Sequence, residues 1–403
     1  MVAGSKRIKD LKKFRIGLLW HSLRAGNLGV GALTLGNIAI IRDVAEEMGV
    51  PVEFVVLSMR ERATAPIAEG IEQFEIDTRA LLSPSGFAER VKTLDCVIDI
   101  GAGDSFADIY GMRRFLFLWA TKKITVACGK PLILAPQTVG PFTKQPYRTM
   151  AASILRQSTA VVARDEKSLA QALELAPDAE VSLAVDVAFK LPFDDRSDEA
   201  SGSRPKRIGI NASGLLCQQA ESGENRFGLS YDYLEVQRSL IARFIERDDC
   251  EVHLVTHANS IGDAGDDDGT WADRLAREFP QAIRAPDFAG PSEAKSYISG
   301  MDFVVAGRMH ACIAAFSSCT PVVPISYSRK FSGLFDLLRY PYYTPMTGVT
   351  ESQIVAEIMD RFTTDRSEML DAETAALLKV DEMLDGYRNV LRRTLTQTSR
   401  ESA

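Results

Sequence analysis

Histidine is scarce in this chain, with four copies among 403 residues. Cysteine is scarce too, and its six copies, Cys96, Cys128, Cys217, Cys250, Cys312 and Cys319, form no C-x-x-C pair. That argues against a zinc site and for buried, reduced thiols. Surplus positive charge is also missing. The net charge is −7, whereas nucleic-acid binding wants a basic face, so no nucleic-acid partner is expected. No apolar run approaches the ~18 residues that a membrane span needs. The N-terminal KRIKDLKKFR is basic, but the apolar stretch beyond it covers only Ile16 to Trp20, too short for a signal-peptide core. Reduced thiols point to the cytoplasm, and the basic start reads first as a solvated tail, with a peripheral contact to an anionic surface at the inner face of the membrane as the alternative. Internal repeats and low-complexity tracts are absent.

The 46% of hydrophobic residues suffices for real cores, and the length suits two domains. Short apolar runs followed by glycine-rich or polar loops and then by helical patterns recur along the chain. Strands are predicted at Arg15–Trp20, Val52–Leu57, Cys96–Ile100, Leu132–Ala135, Ala160–Ala163 and Val181–Val185. After a break they resume at Ile208–Ile210, Val252–Val255, Phe303–Ala306 and Val322–Ile325. A long helix is expected over about Ser105–Ala127. The alternation predicts an α/β fold: two Rossmann-like domains with parallel sheets and a cleft between them. The predicted boundaries are an N-terminal domain at 1–190, a charged Ser/Gly/Pro-rich linker at 191–206, a C-terminal domain at 207–345, and helices over 346–403 that pack back on the first domain.

In such sheets, ligands gather at the carboxyl ends of the strands. The stretch DFVVAGRMHACIAAFSSCTPVVPISYSRK, Asp302–Lys330, is the most telling. Arg308 and His310 lie where a strand passes into a helix, so backbone N–H groups and the helix dipole favour an anion there. Arg308 adds a planar fork of donors, and His310 adds a group that exchanges protons near neutral pH. A helix cap or a packed polar group is the plainer reading of His310. Other strand ends carry Asn27 in GNLGVGALTLGN, Asp104 in GAGDSFAD, Gln137 in PQTVGPF, Arg164, Asp186, Asn211 with Ser213, His257, and Tyr327 with Lys330. Asp104 and Asp108 either share a helix face or cap the helix. Arg164 is either an anion ligand or half of a surface pair with Asp165. His253, inside a strand, is expected to pack. The GDDDG run reads as a solvated loop, since calcium would need better-spaced ligands.

These motifs together, GNLGxGAL, GAGDSFxD, PQTVGPF, VxARDEKSL, DVAF and GRMHACIAAFSSCTPVVPISYSRKFSGL, resemble the polysaccharide pyruvyl transferase family over most of residues 15 to 340. The R-x-H segment with its downstream P-x-x-x-x-x-Y-x-x-K is the most specific part. The resemblance implies a fold similar to the GT-B glycosyltransferases. It implies transfer of the enolpyruvyl unit of phosphoenolpyruvate to a saccharide acceptor, lipid-linked or free, as a cyclic ketal with release of phosphate. Arg308 would then bind the donor anion, His310 would act as acid and base, and Arg164 would hold the donor from the other domain. The chain departs from many relatives at Val30, where they carry an acid.

The donor's phosphate and carboxylate call for at least two cations, which Arg308, Arg164 and Lys330 could supply. His310 would protonate the methylene carbon, and two sugar hydroxyls, at the 4- and 6-positions, would add to C2. His310 or Asp104 would take their protons. Asn27, Gln137, Asn211, Ser213, His257 and Tyr327 complete the expected substrate-binding set. Neither metal nor cofactor is expected. Two other readings share the fold: a nucleotide-sugar glycosyltransferase, which the lack of Glu in 307–320 disfavours, and a non-catalytic partner in polysaccharide assembly.

Overall fold

The apolar runs form strands because each is flanked by a turn-forming loop and covered by helices on both sides. The computed structural model describes residues 13–24, 26–60, 66–200, 204–258 and 266–401. The first sheet comprises β1 (Phe14–Leu19), β2 (Val52–Ser58), β3 (Glu72–Glu75), β4 (Cys96–Asp99), β5 (Leu132–Gln137), β6 (Ala160–Ala163) and β7 (Val181–Leu183). Its helices are α1 (Leu28–Glu47), α2 (Thr78–Leu82), α3 (Phe87–Lys92), α4 (Met112–Ala127), α5 (Tyr147–Gln157) and α6 (Glu166–Leu175). The second sheet comprises β8 (Lys206–Asn211), β9 (Cys250–Leu254), β10 (Ile283–Arg284), β11 (Phe303–Ala306) and β12 (Val322–Pro324). Around it lie α7 (Gly214–Ser222), α8 (Tyr233–Ile245), α9 (Asp268–Glu278), α10 (Pro291–Ser299), α11 (Met309–Ser317) and α12 (Arg329–Leu337). Two further helices, α13 (Glu351–Asp360) and α14 (Arg366–Glu401), close the chain.

Every strand pairing is parallel. The strand orders are β3-β2-β1-β4-β5-β6-β7 and β10-β9-β8-β11-β12. Each order reverses once, between β1 and β4 in the first sheet and between β8 and β11 in the second. At such a reversal the following connections depart to opposite faces and leave a crevice at the strand ends. The expected two-sheet α/β architecture is therefore present.

Helix α14 ties back to the first sheet, as expected. Tyr387 donates to Asn37 Oδ1 (2.8 Å), Arg392 reaches Glu47 (2.7 Å), and Lys190 pairs with Asp381 on α14. Residues 191–196 run along α10, where the Asp194 and Arg196 N–H groups donate to Ser296 and Ser299.

Four local expectations change. The helix expected from Ser105 begins only at Met112. Gly101, Ala102 and Gly103 hold consecutive left-handed φ angles of 55°, 49° and 87°, which fold the chain into a tight turn that no helix can continue. Strand β3 was unread because its mixed Glu-Gln-Phe-Glu composition carries no strand pattern. A span-length apolar segment does exist: α1 is long and apolar enough to cross a membrane, but 72% of that window is buried inside the fold. It is a core helix, and its Gly36 packs so closely that a Cβ there would lie 2.2 Å from Val187 O. All six cysteines are free, but the expected burial holds for Cys96, Cys217 and Cys312, while Cys128 and Cys250 are half-buried and Cys319 is exposed.

His21 sits at the centre of this packing. Its Nδ1 faces Leu19 O (3.1 Å), its Nε2 faces Asn37 Nδ2 (2.8 Å), and burial pushes its pKa down to about 3. The unfolded chain takes up that proton near 6.5, so stability falls as the pH drops from about 6.5 toward 3. Urea unfolding of the wild type is expected to lose about 1.4 kcal/mol per pH unit from this residue across that window. His21→Asn should show a shallower pH dependence, and equal slopes would contradict the burial of a neutral imidazole.

Candidate functional site

The two crevices face each other, and a cleft of about 410 Å³ lies between them. Asn27, Asp104, Arg164, His257, Arg308, His310 and Tyr327 all line it. They follow β1, β4, β6, β9, β11 and β12, so most of the expected site set is brought to one place by strand ends alone.

The glycine loop reaches across the cleft. Asn27 caps α1 by accepting from Gly29 N (2.9 Å), and it forms an antiparallel bridge with Ala258. Leu28 N donates to His257 O (3.3 Å). This joins the first turn of α1 to the end of β9. His310 lies on α11 against that turn: a Cβ on Gly29 would come within 2.4 Å of His310 Nδ1. Gly29 is therefore required by the imidazole of the other domain. Val30 contributes to the cleft wall.

His310 is 20% exposed and lines the cleft, with its Nε2 buried at 3.8 Å from Asp186 Oδ2. The same Asp186 oxygen accepts from Arg164 Nη1 (3.0 Å), while Arg164 Nε donates to Thr138 Oγ1 (3.0 Å). Arg164 thus pairs with Asp186 and not with its sequence neighbour. Asp165 instead caps α6 by accepting from Ser168 N.

Arg308 is anchored by acids that the sequence reading set aside. Asp268 is 1% exposed, where a solvated loop was expected. Its Oδ1 accepts from Arg308 Nε (3.0 Å), Arg308 Nη2 (2.8 Å) and Gly214 N (2.8 Å). Its Oδ2 accepts from His257 N (3.0 Å) and Asn211 Nδ2 (3.1 Å). Arg308 Nη1 lies 2.6 Å from Asp266 Oδ1. The physical reason is position: Asp268 opens α9 beside the end of β8, where backbone N–H groups converge on it. The only local signal was an acid at a helix start, which is also the signature of an ordinary cap. Residues 259–265 of that loop lie outside the described residues.

Other expected residues lie beneath the cleft surface. Asn211 braces the floor, accepting from Arg308 N and donating to Val255 O (both 3.0 Å). Ser213 is buried at the start of α7, its N–H donating to Tyr233 OH (3.1 Å). Gln137 donates to Asp99 O (2.8 Å) and Asp99 Oδ1 (3.2 Å). That carboxylate also pairs with fully buried Lys122 (2.9 Å). Burial pushes the Asp99 pKa up and the Lys122 pKa down, and their mutual attraction opposes both shifts. Lys330 is on α12, but its side chain lies outside the described residues.

Burial lowers the His257 pKa to about 3, with the positive charges of His310 and Arg308 adding to the effect, so it faces the cleft as a neutral imidazole. His253 packs as expected, against Tyr297 OH (2.6 Å) and Glu251 (2.7 Å). Asp104 and Asp108 do not share a helix or cap one. Asp104 accepts from Tyr110 OH (3.0 Å), and Asp108 accepts from Thr143 N (2.5 Å) and Oγ1 (2.8 Å). Tyr110 and Phe227 line the cleft without having been singled out. Phe227 stacks edge-on to Tyr327 at 4.8 Å, giving the cleft an aromatic wall. A second, larger space of about 580 Å³, lined by Thr138, Pro141, Lys167, Gln171 and Asp336 among others, has neither His nor Arg among the described residues that line it. The described histidine and arginine side chains of the two spaces therefore gather in the smaller cleft.

Breaking one side of a buried ion pair leaves the other charge uncompensated. Asp268→Ala is expected to destabilise the protein by about 3 kcal/mol or more in urea unfolding. A loss under about 1 kcal/mol would mean that Asp268 does not carry the floor of the site.

The comparisons agree with this architecture. A family described as polysaccharide pyruvyl transferase matches residues 7–329. The amylovoran biosynthesis protein AmsJ of Erwinia amylovora is 22% identical over 311 residues, covering 74% of this chain and 72% of AmsJ. Among solved structures, a UDP-N-acetylglucosamine 2-epimerase aligns with a TM-score of 0.54 at 11% identity, covering 94% of this chain and 97% of its own. The spinosyn forosaminyltransferase SpnP gives 0.53 at 11% (96% and 99%), and an E. coli trehalose-6-phosphate protein bound with UDP-2-fluoro glucose gives 0.53 at 10% (95% and 98%). At these identities the structural matches establish a GT-B-like fold and nothing finer. With the family match spanning most of its length, the chain belongs to the polysaccharide pyruvyl transferases.

Proposed function

We propose that this protein transfers the pyruvyl unit of phosphoenolpyruvate to two hydroxyls of a saccharide, giving a cyclic ketal and free phosphate. The observation that carries the reading is the placement of His310 at the first turn of α11, its imidazole beside Asp186 in a cleft that Arg164 and Arg308 also line. A dianionic donor suits the helix end and the arginines, and a proton donor suits the imidazole.

In this mechanism protonated His310 gives its proton to the donor's methylene carbon. C2 becomes electrophilic, one sugar hydroxyl adds to it, and that hydroxyl's proton passes to a base. The C2–O bond to phosphate then breaks, phosphate leaves with the bonding pair, and the second hydroxyl closes the ring as it gives up its own proton. Neutral His310 can take one of these protons, and Asp104, facing the same cleft, can take another. Asp186 Oδ2 stands 3.8 Å from His310 Nε2, within ion-pair range of a protonated ring. Arg308 is already held by Asp268 and Asp266, so the donor competes with the partly exposed Asp266 for Nη1, while Asp268 keeps the fork in place. Asn211, Ser213 and Gln137 support the floor in this scheme instead of touching substrate. His257 and Tyr327 offer neutral contacts to the acceptor.

Incubation with phosphoenolpyruvate and a panel of saccharides should release phosphate only when an acceptor is present. Release of a nucleoside diphosphate from a sugar nucleotide would instead identify a glycosyltransferase. His310→Ala is expected to lower turnover by about a hundredfold or more with an unchanged thermal transition, and near-normal turnover would remove His310 from the chemistry. Gly29→Ala should displace the imidazole and lower turnover by at least about tenfold; wild-type activity would show that the contact with Gly29 does not position it.

A further inference from the structure

Large apolar side chains are normally covered, and those that are not deserve a reason when they cluster. Nine large hydrophobic residues are exposed among the described residues, and five of them, Met59, Ile109, Tyr110, Met112 and Leu116, belong to one region of the first domain. Ile109 and Tyr110 lie in the loop that enters α4, Met112 opens that helix, and Leu116 lies one turn beyond Met112 on the same helix face. Their exposures run from 38% to 63%. Beside this ridge is a mostly apolar groove of about 410 Å³, lined by Trp20, Met59, Arg60, Arg113, Arg114 and Phe117.

Three arginines thus flank exposed apolar surface in a chain whose net charge is −7. The nearby acids are largely occupied: Asp77 caps α2 by accepting from Ala80 N (2.6 Å), Glu75 lies 4.0 Å from Arg60, Asp104 accepts from Tyr110 OH (3.0 Å), and Asp108, beside Ile109, accepts from Thr143 N (2.5 Å) and Oγ1 (2.8 Å). Arg114 stacks over Tyr110 (5.4 Å) and donates to Ser105 (2.7 Å), which fixes the base of the ridge. Apolar and aromatic side chains set among arginines match the boundary between the headgroups and acyl chains of an anionic bilayer.

We propose that this ridge and groove are a membrane-docking face, with Ile109, Met112 and Leu116 inserted among the lipids and Arg60 and Arg113 over anionic headgroups. The face adjoins the cleft through Tyr110, which lines the cleft and belongs to the ridge. Docking there would hold the cleft mouth at the lipid surface, where a membrane-held saccharide would be presented. That purpose rests on the reaction proposed above, but the docking itself does not.

Co-sedimentation of the full chain with phosphatidylglycerol/phosphatidylcholine vesicles, against phosphatidylcholine alone, tests it. The wild type is expected to bind the anionic vesicles preferentially. Ile109→Ser combined with Leu116→Ser should weaken that binding about tenfold or more, and Arg113→Ala about fivefold. Undiminished binding in these variants overturns the proposal, as does absence of binding by the wild type. Binding lost only on removal of residues 1–12 would assign it to the basic start, and a concentration-dependent dimer abolished by the same variants without vesicle binding would assign the ridge to a second copy; either result overturns it. Phosphate release with a soluble saccharide, measured without vesicles, should be the same in wild type and variants. Vesicle binding that behaves as expected without that activity supports the docking face and removes only the reaction.

Discussion

One buried carboxylate holds the second half of the site together. Asp268 receives the Arg308 fork, the first N–H of α7, the N–H of His257 and the amide of Asn211. These groups come from the ends of β8, β9 and β11 and from the start of α7, so a single charge ties four segments to α9 at the carboxyl end of the second sheet. Its desolvation is tolerable because both oxygens are filled and a cation lies against it. The arrangement also explains why Arg308 presents itself at the cleft without drifting. A long side chain in water loses much of its freedom on meeting an anion, and here that freedom is already removed.

A like arrangement in the first domain is built from different parts. Asp186 receives Arg164 and stands beside His310 of the other domain. Beneath it Gln137, Asp99 and Lys122 fill the floor under the left-handed turn at Gly101–Gly103. The strand-order reversals at β1/β4 and β8/β11 put these polar clusters opposite each other. Contact across the gap is carried by backbone, through Leu28 to His257 and Asn27 to Ala258, and by the fit of His310 against Gly29. The relative position of the imidazole is therefore set by main chain on one side and by a missing side chain on the other.

Much of this was legible in the residues. Apolar runs ending in polar loops named nearly every strand, and the strand-to-helix passage at Arg308 and His310 pointed to the cleft before any geometry was known. What could not be read was pairing over distance. Arg164 adjoins Asp165 in sequence but bonds Asp186, since Asp165 turns back to cap its own helix. Asp268 looked like one acid in a solvated run, because its burial depends on strand ends far away in the chain. The start of α4 was misplaced because a left-handed Ala102 is a tertiary choice that composition does not announce. Asn211, Ser213 and Gln137 sit at strand ends, as ligand residues do, yet their polar atoms face inward.

The central claim is that the imidazole in this cleft delivers a proton to carbon. The most direct measurement is the isotope content of the product when phosphoenolpyruvate and acceptor react in heavy water. The account predicts a ketal whose methyl group carries one deuterium, with phosphate released in equal amount. A product that keeps the methylene double bond and carries no deuterium would contradict it, since no proton would then have reached the carbon.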